Sequence, residues 1–252
     1  MHMRTPVLAA ALKIFAIIVI SISSSTIFAQ ASPNQTMEFR IRTDIYTDQT
    51  KPPATSIQTM FTNGQYIEWD EEGGRCTVFD PSKSRITLMD VNKKQLVHLE
   101  MQVVENKLNE ALKQLDNNAT MLFTSDGETK AEPQGYFSIG NQWQRYYFKP
   151  LATPQNIAAS YGDYANWSVR INALYPPRLP PQMRLQLNEL LIGQSQIPEE
   201  TRRVRTKDGV VQEVTAKLIL TQNLAANDRS RVATIYKWMQ EFKPTTDDAF
   251  FK

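Results

Sequence analysis

The amino-acid sequence predicts an α+β protein: a curved antiparallel β-sheet, a meander similar to a half-barrel, with three or four helices covering one face. Three observations predict this fold. Short segments with partial period-two alternation of apolar and polar residues fill the first half of the chain, and the connections between them are short. Segments with helical periodicity gather in the second half. Because short connections join antiparallel neighbours, we expect one sheet whose apolar face needs the helices as cover.

The first 31 residues have the features of a secretory signal peptide. Two basic residues, Arg4 and Lys13, precede an apolar run at 14–20, and the tripeptide Ala-Gln-Ala occupies 29–31. The apolar run is shorter than the ~20 residues that cross a bilayer. We therefore predict that this segment is removed and that 32–252 form a single α+β domain. The mature protein is expected in the periplasm or the extracellular space, and not as an integral membrane protein.

The predicted mature chain carries no net charge. Removal of the signal peptide lowers the number of basic residues from 28 to 26, which equals the 26 acidic residues. A neutral chain gives no reason to expect nucleic acid or an anionic membrane surface as a partner. The single cysteine, Cys76, excludes an intrachain disulfide, so stability must come from buried apolar residues.

The segment 65–101 is the centre of the predicted sheet. Turn-forming sequences divide it into four strands: Glu-Glu-Gly-Gly at 71–74, Asp-Pro-Ser-Lys at 80–83 and Val-Asn-Lys-Lys at 91–94. Two further strands precede this meander, and an Asn-Gly turn joins the second of them to it. The six strands predicted in this half are 37–45, 55–62, 66–69, 75–79, 85–89 and 96–101.

Helical periodicity appears in four segments after the meander. Apolar residues recur in each at intervals of three and four, and Pro or Gly marks several of the ends. The predicted helices are 104–115, 153–175, 180–193 and 227–244. Further strands are predicted at 120–125, 136–139 and 142–149, and a final β-hairpin is expected to turn at Asp208-Gly209.

The one histidine and the one cysteine of the mature chain are not placed for nucleophilic catalysis. Cys76 and His98 fall on strands with another strand between them, which separates them by about 10 Å. A nucleophile and its base need about 3 Å. We expect His98 in solvent on the polar face, and Cys76 buried.

The mature chain also lacks a cluster of histidine or cysteine for zinc and a glycine-rich loop for phosphate. We therefore predict a protein that is not an enzyme, with no catalytic residues, no metal site and no cofactor. A hydrolase that uses two carboxylates is an alternative, but the sequence pattern singles out no pair of acidic residues.

Aromatic residues are candidates for the wall of a ligand cavity. On the strand predicted at 142–149, Trp143 and Tyr147 alternate with aromatic residues of the opposite face. Core packing explains this pattern, and so does an apolar or sugar-binding cavity along one face. The candidate wall residues are Trp69, Trp143, Tyr147 and Trp167.

A second and weaker candidate is the basic run before the final hairpin. Arg203, Arg205 and Lys207 occupy alternate positions, so an extended strand would place them on one face, where they could bind an anion or a partner protein. A solvated face is the alternative, as is an edge strand that basic residues protect against pairing with another sheet.

Two stretches carry a resemblance to known proteins: TVFDPSKSRITLMD at 77–90 and YGDYANWSVRINALYPPRLPPQMRLQLNELL at 161–191. With them the chain resembles a family of uncharacterised secreted bacterial proteins, a resemblance that implies no activity. The β-rich half followed by covering helices is similar in architecture to LolA-like lipoprotein carriers, half-barrels that shelter acyl chains under a curved sheet. The chain departs from that pattern because its helices cluster late in the sequence.

These observations together favour an exported, non-enzymatic binding or carrier protein for a lipid or another apolar ligand. The alternative is an interaction module of the cell envelope that pairs with a partner protein through a sheet edge or through the basic face of Arg203. The carrier hypothesis requires a cavity between sheet and helices of about 300 Å³ or more.

Overall fold

The computed structural model of the protein describes residues 37–70, 74–115, 124–175, 180–207 and 210–251. The predicted signal peptide, most of the strand predicted at 120–125 and the turn predicted at Asp208-Gly209 lie outside the described residues.

Twelve strands among the described residues form one curved, unclosed sheet. They are β1 (Phe39–Tyr46), β2 (Thr55–Thr62), β3 (Gln65–Asp70), β4 (Arg75–Asp80), β5 (Arg85–Asp90), β6 (Gln95–Glu100), β7 (Lys130–Ala131), β8 (Phe137–Gly140), β9 (Gln144–Ala152), β10 (Gln196–Lys207), β11 (Val210–Gln222) and β12 (Lys243–Pro244). Their order across the sheet is β12-β6-β5-β4-β3-β2-β1-β11-β10-β9-β8-β7. All neighbours are antiparallel except β12, which runs parallel to β6. The predicted fold class is confirmed.

Local turn chemistry explains why the first strands form a meander. Asn63 and Gly64 have positive φ angles of 52° and 71°, as a tight hairpin between β2 and β3 requires. Between β4 and β5, the carboxylate of Asp80 accepts a hydrogen bond from the backbone N–H of Lys83. The four strands predicted in 65–101 are confirmed as β3 to β6.

Five helices among the described residues pack on the sheet. They are α1 (Met101–Lys113), α2 (Gln155–Leu174), α3 (Gln182–Gly193), α4 (Ala226–Glu241) and α5 (Asp247–Phe250). The first four correspond to the four predicted helices, whereas α5 is a single turn that the periodicity does not reveal. None of the described helices is long and apolar enough to cross a membrane.

Four of the helices lie on the same side of the sheet. The strand registers place Phe61, Tyr66 and Phe79 on this side, which we call the Phe61 face. Helices α1, α2, α3 and α5 pack onto it and bury the side chains that dominate the core, including Phe61, which is 2% exposed. Covering of one face by three or four helices is therefore confirmed.

Helix α4 packs on the opposite side, which we call the Met60 face. Val232 and Ile235 of this helix meet Met60, Ile67 and Leu96 in a separate buried cluster. The cluster covers the Met60 face over β2 to β6 only. Two adjacent residues of β2, Met60 and Phe61, are consequently both buried, one under each layer of helices.

Candidate functional site

A cavity of about 290 Å³ lies between α3 and strands β8 and β9, under the Phe61 face. We call it the Phe137 pocket. Phe137 and Phe148 are directly paired across β8 and β9, and their rings stack with centroids 5.8 Å apart. The residues that line the pocket are Thr129, Ala131, Phe137, Phe148, Pro150, Leu190, Leu191, Gln194 and Gln196. Six of the nine lining residues are apolar, and Thr129, Gln194 and Gln196 are polar.

The position of α3 explains why this pocket exists. Met183, Leu187 and Leu191 of α3 form a buried cluster with Ile139, and the helix thereby lies against the end of the sheet. After Leu191 the chain reverses through Ser195, which has a φ of 54°, and returns as β10 beside β9. Leu190, which precedes Leu191 on the helix, is only partly buried, so space remains beside it.

A second cavity, of about 120 Å³, lies between the Phe61 face of β3 to β5 and helices α2 and α5. We call it the Glu68 pocket. Its lining residues are Glu68, Arg75, Cys76, Thr77, Phe79, Leu88, Met89, Ser168, Ile171, Asn172, Tyr175, Phe250 and Phe251. It therefore combines an aromatic and aliphatic wall with two charged groups and several polar ones.

Glu68 is the unusual residue of this second pocket. Tyr164 of α2 donates its hydroxyl hydrogen to Oε2 of Glu68. Burial raises the pKa of Glu68, and the nearby carboxylate of Asp70 raises it further. The hydrogen bond from Tyr164 acts in the opposite direction, because it stabilises the ionised carboxylate. A carboxyl with a raised pKa in a cavity is a feature of functional sites, although structural residues share it.

A third concavity, of about 380 Å³, lies on the Met60 face where α4 does not cover it. The strand registers align Asp44, Lys217, Glu200 and Lys149 in one row across β1, β11, β10 and β9. Charges alternate along this row, and each of the four residues has an ion-pair partner. The charges of the row are thus neutralised within the protein, by the pair of Lys217 with Glu200 and by Arg42 and Glu199 beside the row.

Two of the predicted wall residues lie on the Met60 face, which is the opposite side of the sheet from the Phe137 and Glu68 pockets. Trp69 stacks on Trp238 of α4 with ring centroids 5.0 Å apart. The ring of Tyr147 lies beneath the guanidinium of Arg202, whose Cζ is 5.0 Å from the ring centroid. Both aromatic rings are therefore occupied by neighbours within the protein.

The other two predicted wall residues also lie apart. Trp143 precedes β9 instead of lying within it and is 47% exposed. Trp167 is on α2, in the layer over the Phe61 face, with Cζ of Arg170 5.0 Å from its ring centroid. The structure does not bring the four residues into one cavity, and none of them lines the Phe137 or the Glu68 pocket. Their role in ligand binding stays a prediction.

The basic run lies on a central strand. Arg203 of β10 pairs with Val214 on one side and with Tyr146 on the other, so β10 is not an edge strand. The explanation that basic residues protect an edge is therefore wrong here. Arg203 and Arg205 share one side of the strand and are half-buried; the side chain of Lys207 lies outside the described part of the chain.

Cys76 and His98 lie as the sequence predicts. Strand β5 separates their strands, and Nδ1 of His98 is hydrogen-bonded to Thr87 on β5 at 3.0 Å. Cys76 is 2% exposed in the core under α4, and burial raises the pKa of its thiol well above the ordinary range. Among the described residues, no group of three His, Cys, Asp or Glu side chains is placed to hold a metal ion.

Sequence reasoning did not find either pocket of the Phe61 face. Phe137, Phe148 and Leu190 are ordinary core residues by periodicity, and only the gap between α3 and the sheet distinguishes them. Glu68 stands between Ile67 and Trp69 as an alternating polar residue of a strand would. No local signal predicts that α2 encloses its carboxyl.

Comparison with known proteins places the chain in no family. No family model matches it, and no curated protein matches it. Among solved structures, PNGF-II is similar with a TM-score of 0.38 and 8% identity, over 85% of this chain but only 32% of PNGF-II. A LolA superfamily protein from Nitrosomonas europaea is similar with a TM-score of 0.28 and 6% identity, over 78% of this chain and 90% of the other. The LolA-like architecture thus has a weak structural neighbour, and neither likeness carries an argument about function.

Proposed function

We propose that this protein is an exported, non-enzymatic carrier that binds a single short acyl chain, or an apolar group of that size, in the Phe137 pocket. The observation that supports the proposal is a largely apolar cavity between the sheet and α3, with the stacked rings of Phe137 and Phe148 in its wall. Ligand pockets occupy about 300–1,000 Å³. At about 290 Å³ this cavity matches a small apolar ligand at the lower end of that range.

The size of the pocket also bounds the expected affinity. Each buried methylene contributes about 0.8 kcal/mol, so six methylenes contribute about 5 kcal/mol before the cost of immobilising the ligand. That free energy corresponds to a dissociation constant of roughly 0.1–1 mM. Additional contacts at Gln194 and Gln196 can fix a polar end of the ligand at the pocket wall.

Native mass spectrometry of the purified protein with an added short-chain fatty acid at millimolar concentration tests the proposal first. We expect a bound fatty-acid mass that is lost on denaturation. A fluorescent short-chain fatty acid then gives the affinity for wild type and for Phe137→Asp, which puts a carboxylate into the apolar wall. Val103→Asp is the matched control, because Val103 is 48% exposed on α1 and lies outside the pocket.

The proposal predicts at least tenfold weaker binding of the probe to Phe137→Asp and no change for Val103→Asp. Equal weakening in both variants, or none in either, contradicts the assignment of the pocket. Far-ultraviolet circular dichroism and urea unfolding of each variant separate a lost pocket from a lost fold.

A second candidate function, the envelope interaction module, is favoured by one observation. Val210 and Val211 are adjacent at the start of β11 and are 59% and 63% exposed. Successive strand residues point to opposite faces, so each valine exposes an apolar side chain on one side of the sheet, where a partner protein could cover it. A clean apo mass together with no binding of the fatty-acid probe would support this second function over the carrier.

A further inference from the structure

The Glu68 pocket contains two opposite charges that face the same cavity. Glu68 of β3 is directly opposite Thr77 of β4, and Arg75 lies two residues further along β4 on the same side of the sheet. Diagonal neighbours of this kind are separated by about 7–8 Å between backbones. A carboxylate and a guanidinium thus line one small cavity from adjacent strands.

Neither charge has an ion-pair partner among the described residues. The Glu68 carboxyl accepts a hydrogen bond from the hydroxyl of Tyr164, a neutral donor. Glu68 is half-buried, so its carboxyl is only partly solvated, and a positively charged group that entered the pocket would be stabilised there. Arg75 is exposed and offers its planar guanidinium to a carboxylate at the pocket rim.

The other acidic groups near the pocket are already engaged. Both oxygens of Asp70 accept backbone hydrogen bonds, from Gly74 and from Arg75. Asp163 of α2 accepts from the hydroxyl of Tyr66. On α5, Asp247 is ion-paired with a lysine of α1 at 2.8 Å. Glu68 is therefore the carboxyl available to a ligand.

From this geometry we propose that the Glu68 pocket binds a small zwitterionic α-amino acid, with the ammonium group at Glu68 and the carboxylate at Arg75. A simple cation would be attracted by Glu68 but repelled by Arg75. A simple anion would be attracted by Arg75 but repelled by Glu68. A zwitterion satisfies both. Ser168 and Asn172 of α2 line the same cavity and add neutral hydrogen-bonding groups.

The volume sets the size of the amino acid. A cavity of about 120 Å³ is smaller than the roughly 300–1,000 Å³ of pockets for drug-sized ligands. Glycine and alanine fit this space, whereas an aromatic amino acid does not. The walls formed by Phe79, Leu88 and Phe250 favour a methyl side chain over a polar one.

Isothermal titration calorimetry of the purified protein with L-alanine tests this site. N-acetylalanine lacks the ammonium group, alaninamide lacks the carboxylate, and L-phenylalanine is too large for the cavity. We expect alanine to bind and each of the three other compounds to bind at least tenfold more weakly. Equal binding of alanine and its two blocked derivatives, or no binding of alanine to folded protein, overturns the proposal.

Two substitutions test whether Glu68 and Arg75 bind the amino acid. Glu68→Gln keeps the shape and can still accept the hydrogen bond of Tyr164, and Arg75→Gln changes an exposed side chain, so both variants are expected to fold. Each should weaken alanine binding at least tenfold, while Glu110→Gln, an exposed position on α1, should change it less than twofold. Alanine binding that survives both pocket substitutions contradicts the site.

This inference is independent of the proposed carrier function. Glu68→Gln and Arg75→Gln should leave binding of the fatty-acid probe unchanged, because neither residue lines the Phe137 pocket. Loss of probe binding in both variants would indicate a general structural defect and would refute the two separate sites.

Discussion

The packing of α2 against α3 depends on the absence of a side chain at Gly162. This glycine is buried in the middle of α2, where glycine costs about 1 kcal/mol relative to alanine. An added Cβ at this position would overlap Cδ1 and Cγ1 of Ile192 on α3. Gly162→Ala therefore gains helix propensity and loses packing at the same time.

The expected balance is destabilising. Overpacking of a core costs about 1–3 kcal/mol, and the propensity gain of about 1 kcal/mol offsets part of it. We expect Gly162→Ala to lower the free energy of unfolding by about 1 kcal/mol, which lowers the melting temperature by roughly 2–4 °C in a chain of this size. Gly193→Ala is the matched control, because a Cβ there meets no atom within 4 Å.

Urea unfolding of a double-mutant cycle with Ile192→Ala provides the decisive comparison. Truncation of Ile192 removes the overlapping atoms, so in that background Gly162→Ala should stabilise the protein by up to about 1 kcal/mol. The sign of the effect thus reverses between the two backgrounds. Equal effects of Gly162→Ala with and without Ile192 would refute the steric explanation.

Three further predictions concern charge and burial. Arg40 is ion-paired with Asp228, which is 2% exposed. Arg40→Met should lower the free energy of unfolding in urea by about 3 kcal/mol, because it leaves a buried carboxylate unpaired. Cys76 should not react with a thiol reagent in the native protein and should react in urea, because burial raises its pKa. The pKa of Glu68 is raised in the folded state, so its contribution to stability is fully present below the unfolded value of about 4.3 and declines as pH rises toward the folded pKa. The unfolding free energy of Glu68→Gln relative to wild type should therefore increase with pH over that range.

Each of these predictions has a direct control. Arg229→Met removes an exposed ion pair with Glu38 and should cost at most about 1 kcal/mol, so equal losses for both arginine variants would contradict the role of burial. Rapid labelling of Cys76 in the native state would mean that α4 opens readily from the sheet. A pH-independent difference between Glu68→Gln and wild type would show that the Glu68 carboxyl has an ordinary pKa.

The strands and helices could be predicted because their signals are local. The turns between β4, β5 and β6 are made by residues that form turns in any context, such as Asp80, whose carboxylate accepts a hydrogen bond from the backbone N–H three residues later. Helices α2 and α3 are bounded by proline and carry the expected periodicity. Where the turn residues and the hydrophobic periodicity indicate the same element, few other secondary structures fit the segment.

No comparable local pattern in the sequence predicts that helices cover both faces of the sheet. In β2 the last four residues, Met60 and Phe61 among them, are all buried, so the alternation that identifies one apolar face disappears. This happens because α4 covers the Met60 face at the place where α2 covers the other. The pairing of β1 with β11, which joins the two halves of the sheet, is likewise a long-range contact that no turn specifies.

The positions of the two pockets of the Phe61 face could not be predicted from the sequence. Large aromatic residues suggested the cavity wall, yet Trp69 and Tyr147 are held by partners on the Met60 face. A cavity depends on how closely two elements pack against each other. Hydrophobic periodicity describes each element separately, so it does not show where a gap remains between them. The walls at Phe137 and Glu68 therefore appear only when the helices are in place.

The distribution of packing over the Phe61 face limits the size of any ligand. Over β1 and β2 the cover is complete: Phe39 and Phe61 stack with centroids 4.0 Å apart and are 0% and 2% exposed. The Phe137 and Glu68 pockets are lined by elements on either side of this filled centre. Joining them into one channel would displace at least two buried phenylalanines, and removal of each from a core costs about 3–5 kcal/mol. A two-chain lipid under the Phe61 face would require that rearrangement, so the packing over β1 and β2 favours the proposal of short ligands in separate pockets.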